Sequence, residues 1–479
     1  MAKLDRATLA SLRHDPHARE TRLREVVGDC LATAPPPVLE DAVVATYFLS
    51  LRTWSLAHAA SEISYHATSG AKSVPPGSLL EACTGRCVGV EQFDTTGRLG
   101  LLHVAFPLKM LLHPDGGLAS CDILHTVAGA VIFDLYENQD VRLVRVTLPE
   151  RVIRTFPGPA YGPEGVRELT HFGPLEPAFG TILKPTAGIT PGEVGALVAE
   201  AAACPLFMFI KEDENLYPRL DYSPVAERVR QAVQALERAS AARRGKGLIF
   251  APHVTGAPGE ILETVQAVVA AGARGVMFSE SFSTGTVRLV REATRSLPSP
   301  PAIYGHNGGI GVKTRGGIWR EVIDMFARLD GIDFRQTAPV RPGPPFIYPA
   351  GREWIASEHT LVEPLPGIKP VMIARAGGLD QGNIILNLAD AERRGLSSSV
   401  LFLAGSAINS ITDASGKPNP RLGAEAMQQA IEVHASGELS DVSPANHVRA
   451  LAALAKRRRL KALGEALRQR YSSRAGKTV

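Results

Sequence analysis

The sequence predicts an α/β protein, with an N-terminal α+β domain followed by a C-terminal (β/α)8 barrel. Two observations carry this. After Phe179, eight apolar or β-rich runs ending in polar residues recur, with helix-like stretches between them. Parallel strands need a crossover connection, and eight of them close around an interior filled by side chains, so the repeat points to a closed barrel. An open doubly wound sheet would carry a G-x-G-x-x-G turn after its first strand, whereas this chain offers only Gly309-Ile310-Gly311, after the fifth run.

Taken in order, residues 1–40 read as a helical extension: one charged helix over 5–31, closed by Pro35, Pro36 and Pro37, with the look of an added arm. Residues 41–175 carry β-like runs at 43–51, 86–90, 100–107 and 142–148 between Ala-rich or polar stretches, the grammar of an α+β domain. The barrel occupies 176–440, with strands predicted at 180–185, 205–213, 247–256, 272–280, 302–308, 331–339, 369–378 and 400–407, and helices at 193–203, 225–239, 260–271 and 319–328. Residues 441–479 form a basic helical tail.

With 45% hydrophobic and 21% charged residues, the 479-residue chain is neither largely disordered nor collagen-like. The net charge of +4 is a property of the tail, since residues 449–479 hold ten of the 52 Lys and Arg but one acid, Glu465, leaving 42 basic against 47 acidic residues elsewhere. The cluster Lys456, Arg457, Arg458, Arg459 and Lys461 lies among Leu451, Leu454 and Leu460, which reads as a solvated amphipathic helix; no aromatic residues interleave with it, and no nucleic-acid partner is expected. Five cysteines, at 30, 83, 87, 121 and 204, are too few and irregular for a disulfide framework, and Cys83 and Cys87 have no matching downstream pair for zinc. The first 24 residues are charged throughout, unlike a signal peptide, and no run approaches 18 apolar residues, so a cytoplasmic protein with no membrane span is expected.

In such a barrel the C-terminal strand ends converge on one mouth, where polar residues are candidates for chemistry. They are Lys184; Lys211, Asp213 and Glu214; His253; Ser279 and Glu280; His306 and Asn307; Arg335 and Gln336; Gly377 and Gly378; Gly405 and Ser406. Residues two apart on a strand share a face, so Lys211 and Asp213 point the same way and Glu214 swings in at the strand end. Two carboxylates suit Mg²⁺, which takes oxygen ligands and keeps sites for water or substrate. An ammonium beside a cation is repulsive, a conflict that disappears if the Lys211 amine carries CO₂ as an anionic carbamate. On spacing alone, an exposed charged loop over 211–214 stands on equal terms.

The segment Gly180-Thr181-Ile182-Leu183-Lys184-Pro185, with Ile210-Lys211-Glu212-Asp213-Glu214-Asn215 after it, resembles the large subunit of ribulose bisphosphate carboxylase and its non-carboxylating relatives, the RuBisCO-like proteins. The likeness runs from about 43 to 438. It implies a ferredoxin-like arrangement of the N-terminal domain and a homodimer or higher homo-oligomer, in which a partner's N-terminal domain completes each mouth. It further implies Mg²⁺ held by carbamylated Lys211, Asp213 and Glu214, proton handling by Lys184, and a catalytic role for His306. Gly377, Gly378, Gly405 and Ser406 match the family's phosphate cradle. Asn307 and Arg335 are read beside them as further binding residues for a phosphorylated sugar, Arg335 because a guanidinium suits a carboxylate or a phosphate, with a structural role for it on equal terms.

Departures from the carboxylating pattern narrow the expectation. Thr186 stands where those enzymes have a second lysine, Asn307 where they have an arginine, Ala376 where they have a serine and Ala130 where they have an asparagine. In the N-terminal domain only Glu62 and Ser64 echo the active-site segment, with Ala67 and Thr68 replacing its threonine and tryptophan. The histidine of the sixth strand end is missing from Asp333-Phe334-Arg335-Gln336, and residues 340–352 hold six Pro or Gly and no Lys. CO₂ fixation on a bisphosphate is therefore not expected. The implied activity is Mg²⁺-dependent formation of an enolate or enediolate from a phosphorylated keto-sugar or 3-oxo sugar acid, with decarboxylation, a carbon–carbon lyase reaction, as the first choice. The alternatives are a 2,3-diketo-5-methylthiopentyl-1-phosphate enolase-type tautomerase (an isomerase) and a non-catalytic binding or regulatory protein.

Overall fold

The computed structural model describes residues 4, 6–12, 14–71, 73–282, 285–341 and 352–471. The chain divides into two compact units: Met1–Gly158 with Gly309–Asp330 and Pro349–Ile368, and Pro159–Gly308 with Gly331–Tyr348 and Lys369–Val479.

The first unit is built on a four-stranded antiparallel sheet of β1 (Ala42–Leu51), β2 (Arg86–Gln92), β3 (Leu99–Pro107) and β4 (Asn138–Thr147), in the order β2-β3-β1-β4. Every residue of β1 is buried, so the sheet is covered on both faces. Alternation divides the side chains: Val43, Ala45, Tyr47 and Leu49 join Leu102, Val104 and Phe106 in one core, while Phe48, Leu99, Leu101 and Val144 join another. Helix Leu56–His66 packs its Leu56, Ala59, Ala60 and Ile63 into the first.

The second core is closed by the N-terminal extension. Leu23, Val26, Val27 and Cys30 of helix Pro16–Thr33 cover the sheet, and each buried aliphatic side chain contributes about 1.5–3 kcal/mol. Residues expected to be an added arm are thus part of the domain's core. The single helix expected over 5–31 is two, Arg6–Ser11 and Pro16–Thr33, because Pro16 cannot continue a helix but suits a first position, where the Asp15 side chain accepts the Ala18 N–H at 2.9 Å. Arg24 stacks on Trp319 at 4.2 Å and pairs with Glu321 at 2.6 Å.

The second unit contains eight parallel strands: β5 (Ala178–Ile182), β6 (Phe207–Lys211), β7 (Ile249–Ala251), β8 (Gly275–Phe278), β9 (Ala302–Gly305), β10 (Phe334–Thr337), β11 (Met372–Arg375) and β12 (Val400–Ala404). Each falls within or overlaps one predicted run. The sheet runs from β8 through β12 to β5, β6 and β7. It closes on itself where Met277 N–H donates to the Pro252 carbonyl and Val254 N–H to the Met277 carbonyl, each at 2.9 Å. Alternate residues line the interior, among them Ile249 and Ala251, Ala302 and Tyr304, Met372 and Ala374, and Leu401 and Leu403. Phe209, Tyr304 and Phe334 make an aromatic layer there, with centroids 4.7–6.2 Å apart. This unit begins before residue 176 because Val166 and Phe172, from and just after helix Gly162–Thr170, belong to the barrel core.

The tail forms two helices, His447–Arg457 and Lys461–Tyr471, with Leu451, Leu454, Leu463 and Leu467 buried. Arg457 and Arg458 pair with Glu438. All five cysteines are free thiols. Among the described residues, no helix is long and apolar enough to cross a membrane.

Candidate active site

The site grows out of β6. Phe209 belongs to the interior aromatic layer, so Lys211, two residues on, rises on the same face and Asp213 follows it. Glu212 points the other way, into a fully buried bidentate pair with Arg228 of helix Val225–Ala239 (2.7 and 2.9 Å), and accepts the His253 N–H at 2.9 Å. Lys211, Glu212 and Asp213 are 0%, 0% and 3% exposed, which excludes the solvated charged loop.

The Lys211 ammonium donates to the Glu212 carbonyl at 3.0 Å and lies 5.6 Å from the Tyr304 ring centroid. Burial pushes its pKa down to about 8, against the upward pull of Glu214 and Asp213. A substantial fraction of it is therefore a neutral amine near pH 7–8, the form that reacts with CO₂.

Lys184, just past β5, reaches Asp213 Oδ2 with its Nζ at 2.5 Å. Gly405, just after β12, lies beside it: a Cβ there would stand in ordinary contact, 3.5 Å from Lys184 Cε. Asp213 Oδ1 accepts the Asn215 N–H at 3.2 Å, so both carboxylate oxygens are fixed.

His306 follows β9. Its Nδ1 accepts the Gly308 N–H at 3.0 Å and lies 3.3 Å from Ser279 Oγ, which leaves the ring proton on Nε2, 3.4 Å from Glu214 Oε2. Burial first, then the positive charges of Lys211 and Arg335 and neighbouring His253, hold its pKa well below the usual histidine range, so the ring is neutral. A Cβ at Gly308 would meet Ser279 Oγ at 2.7 Å, so a side chain there would turn that hydroxyl away from its place beside His306. His253 is also neutral: burial pushes its pKa down to about 4, its Nδ1–H donates to the Leu216 carbonyl (3.2 Å) and its Nε2 accepts from Thr255 Oγ1 (2.6 Å).

Lys184, Lys211, Asp213, Glu214 and His306 are thus gathered at one rim, with Gly405 beside Lys184. Gly377 and Gly378, at the end of β11, adopt φ +89° and +104°, and Ser406 is exposed at the start of helix Ser406–Asn409. Two expected binding residues are used otherwise. Asn307 donates its amide to the Gln336 carbonyl at 2.6 Å, tying β9 to β10. Arg335, 1% exposed, alternates with interior-facing Phe334 and pairs at 2.6 Å with Glu280, which gives it a structural role in place of an anion-binding one. Arg375 likewise pairs with Asp390 at 2.7 Å. The proline- and glycine-bearing stretch 342–351 lies outside the described residues.

Among the described residues no trio of His, Cys, Asp and Glu side chains is gathered closely enough to hold a metal by itself. Asp213 and Glu214 supply two oxygen donors, and a carbamate on Lys211 is the one modification that would add a third at this rim; with it, the donor set fits Mg²⁺.

Comparison with known proteins agrees. The profile of the family described as Ribulose bisphosphate carboxylase large chain, catalytic domain, matches residues 166–343. A 3-oxo-isoapionate-4-phosphate decarboxylase from Rhizobium etli is 28% identical over 368 residues, 76% of this chain and 82% of the relative. A 3-oxo-isoapionate-4-phosphate transcarboxylase/hydrolase from Xanthobacter autotrophicus is 35% identical over 211 residues, 44% of this chain and 48% of the relative. The octameric ribulose-1,5-bisphosphate carboxylase/oxygenase of Pyrococcus horikoshii superposes with a TM-score of 0.76 at 22% identity, over 92% of this chain and 97% of that one. With the barrel fold and these matches in agreement, the chain is similar to the RuBisCO large chain over residues 166–343 and to RuBisCO-like relatives over most of its length.

Proposed function

We propose that this chain is a Mg²⁺-dependent decarboxylase of a phosphorylated 3-oxo sugar acid, working with CO₂ bound as a carbamate on Lys211. The carrying observation is a fully buried lysine, its pKa brought to about 8, on the same rim as the carboxylates of Asp213 and Glu214. Likeness to a 3-oxo-isoapionate-4-phosphate decarboxylase over most of both chains supports the substrate class.

In the reaction the bond between the substrate's carboxylate and its α-carbon breaks, the electron pair stays on the β-keto system as an enediolate, and a proton returns to carbon. Carbamylated Lys211, Asp213 and Glu214 would hold the metal, which when bound supplies positive charge to the oxygens where negative charge develops. Lys184 is the proton donor: its ammonium is held at the rim by Asp213, beside Gly405. His306 presents Nε2–H toward the site, oriented by Gly308 and Ser279, as a neutral hydrogen-bond donor to substrate oxygen. Gly377, Gly378, Gly405 and Ser406 offer backbone close to the substrate's phosphate. Thr186 and a 340–352 stretch free of lysine leave out cations that a carboxylase of this family uses. Free thiols fit the cytoplasm, and likeness to a dimeric as well as an octameric archaeal Rubisco supports a homodimer as the minimal unit.

The test is incubation of the full-length protein with 3-oxo-isoapionate 4-phosphate labelled with ¹³C at the carboxylate, with Mg²⁺ and bicarbonate. Loss of the labelled carboxyl signal, dependent on Mg²⁺, is expected. An intact carboxylate would overturn the decarboxylase reading. Deuterium exchange into 2,3-diketo-5-methylthiopentyl 1-phosphate would instead assign the tautomerase, and inertness toward both would assign a binding protein.

A further inference from the structure

We propose that the N-terminal end of the barrel, opposite the Lys211 rim, carries a second binding site, which takes a small organic anion with an apolar body into a cavity lined by Arg243 and Arg274. The cavity measures about 370 Å³ and lies against the segments that lead into β7 and β8, whereas the rim lies past the other ends of the strands. Its volume is in the lower part of the roughly 300–1,000 Å³ range of small-molecule sites. Val233, Leu236 and Phe250 give it apolar walls.

Arg243 supplies the first reason to expect an anion. It is 2% exposed, and its five guanidinium N–H groups all donate to carbonyls, those of Lys246 (3.0 Å), Ala202 (3.2 Å), Cys204 (3.1 Å), Phe207 (2.6 Å) and Gly247 (2.9 Å). Its hydrogen bonding is complete, but among the described residues no carboxylate pairs with it. The comparably buried Arg228, Arg291, Arg335 and Arg375 each have such a partner, in Glu212, Asp333, Glu280 and Asp390. Burial pushes the Arg243 pKa down to about 10, as expected of a charge held without a counter-ion. A buried charge left uncompensated beside a cavity favours an anion there.

Arg274 supplies the second. It is exposed at the cavity, one residue before β8, and its side chain makes neither an ion pair nor a hydrogen bond. The backbone that carries it is fixed: its carbonyl accepts the Ala302 N–H at 3.0 Å, and the Ala273 N–H donates to the Val268 carbonyl at 2.9 Å. Its fork is thus open to two oxygens of a carboxylate or a phosphate. Lys246 also lines the cavity but is already paired with Glu176, over the Phe172 ring at 4.6 Å. Glu237, the one acid among the lining residues, is exposed and pairs with neither arginine. Arg243 therefore contributes charge, Arg274 direct hydrogen bonds and the apolar walls a place for the ligand's body.

The experiment titrates the full-length protein, by probe fluorescence, with 1-naphthoate and 1-naphthyl phosphate, which share a body and differ in headgroup, and with the neutral 1-naphthalenemethanol. Wild type is expected to bind the anions saturably and the alcohol at least about 10-fold more weakly, and the tighter anion identifies the headgroup as carboxylate or phosphate. Arg274→Ala should weaken anion binding about 10-fold or more, Arg274→Lys recover part of it through charge without the fork, and Arg274→Glu abolish it, with Tm and Mg²⁺ binding unchanged because the side chain is exposed and unpaired. Equal affinity for the alcohol, a change of less than about twofold in Arg274→Ala, or no saturable binding of either anion by wild type would overturn the proposal. The decarboxylase reading stands or falls separately, on the labelled 3-oxo acid.

Discussion

Lys211 and Arg335 are both buried basic residues on barrel strands, 0% and 1% exposed, yet they do opposite things. Lys211 continues the interior-facing row of Phe209 and emerges at the rim beside Asp213 and Glu214. Arg335 is one step out of phase with the interior-facing Phe334 and passes outward into a pair with Glu280. Both are basic side chains on barrel strands; what separates them is parity. A barrel strand thus sorts its charges into chemistry and scaffold by a single-residue register, and Glu212 with Arg228 shows the same sorting on β6 itself.

Breaking the inward partner should have the largest effect. Asp213→Asn keeps shape and removes charge from the metal-binding rim, so turnover of the 3-oxo acid phosphate is expected to fall at least about 10³-fold with Tm nearly unchanged, as read by carboxyl-loss kinetics and thermal unfolding. Breaking the outward pair should do the reverse. Arg335→Met leaves Glu280 buried without its partner, at a cost of about 3–5 kcal/mol in stability, seen as a Tm lower by several degrees, while Mg²⁺ affinity below that Tm is retained. If instead Arg335→Met lost affinity for glycerol 3-phosphate at unchanged Tm, the assignment by parity would be wrong.

The smallest effect concerns His253, which sits behind the rim among Lys211, Arg228 and Asp213. Its pKa is about 4 in the folded chain against 6.5 in the unfolded one, so the unfolded state binds the proton more readily. Its contribution is fully present above pH 6.5 and lost as pH falls through that value toward 4, roughly 3 kcal/mol in all. Denaturant titrations between pH 7 and 4 should show this slope, and His253→Asn should flatten it by that share; His306, shifted the same way by burial, accounts for further slope. An unchanged slope in the variant would mean that His253 is not buried as a neutral group.

The rim residues were legible in the sequence because Lys184, Lys211, Asp213, Glu214 and His306 each end a run whose apolar pattern announces a strand, and a pair two apart shares a face whichever face that is. Arg335 was not, because 331–339 is apolar enough to be a strand in either phase and its type suggests anion binding wherever it points. The signal that could have separated them is Phe334: a large aromatic next to Arg335 claims the interior for its own parity. The N-terminal helix was legible as a helix but not as a cover. The clue lay in residues 42–51, which hold apolar residues in both phases of the strand, so the sheet needed something on its second face.

Calorimetric titration of Mg²⁺ into the full-length protein, with and without bicarbonate, bears most directly on the rim. One Mg²⁺ per chain is expected only when bicarbonate is present, and none in Lys211→Met, because two carboxylates without the carbamate leave the ion short of a protein oxygen. A Mg²⁺ isotherm indifferent to bicarbonate, or equally strong in Lys211→Met, would contradict a site built on a CO₂-modified lysine.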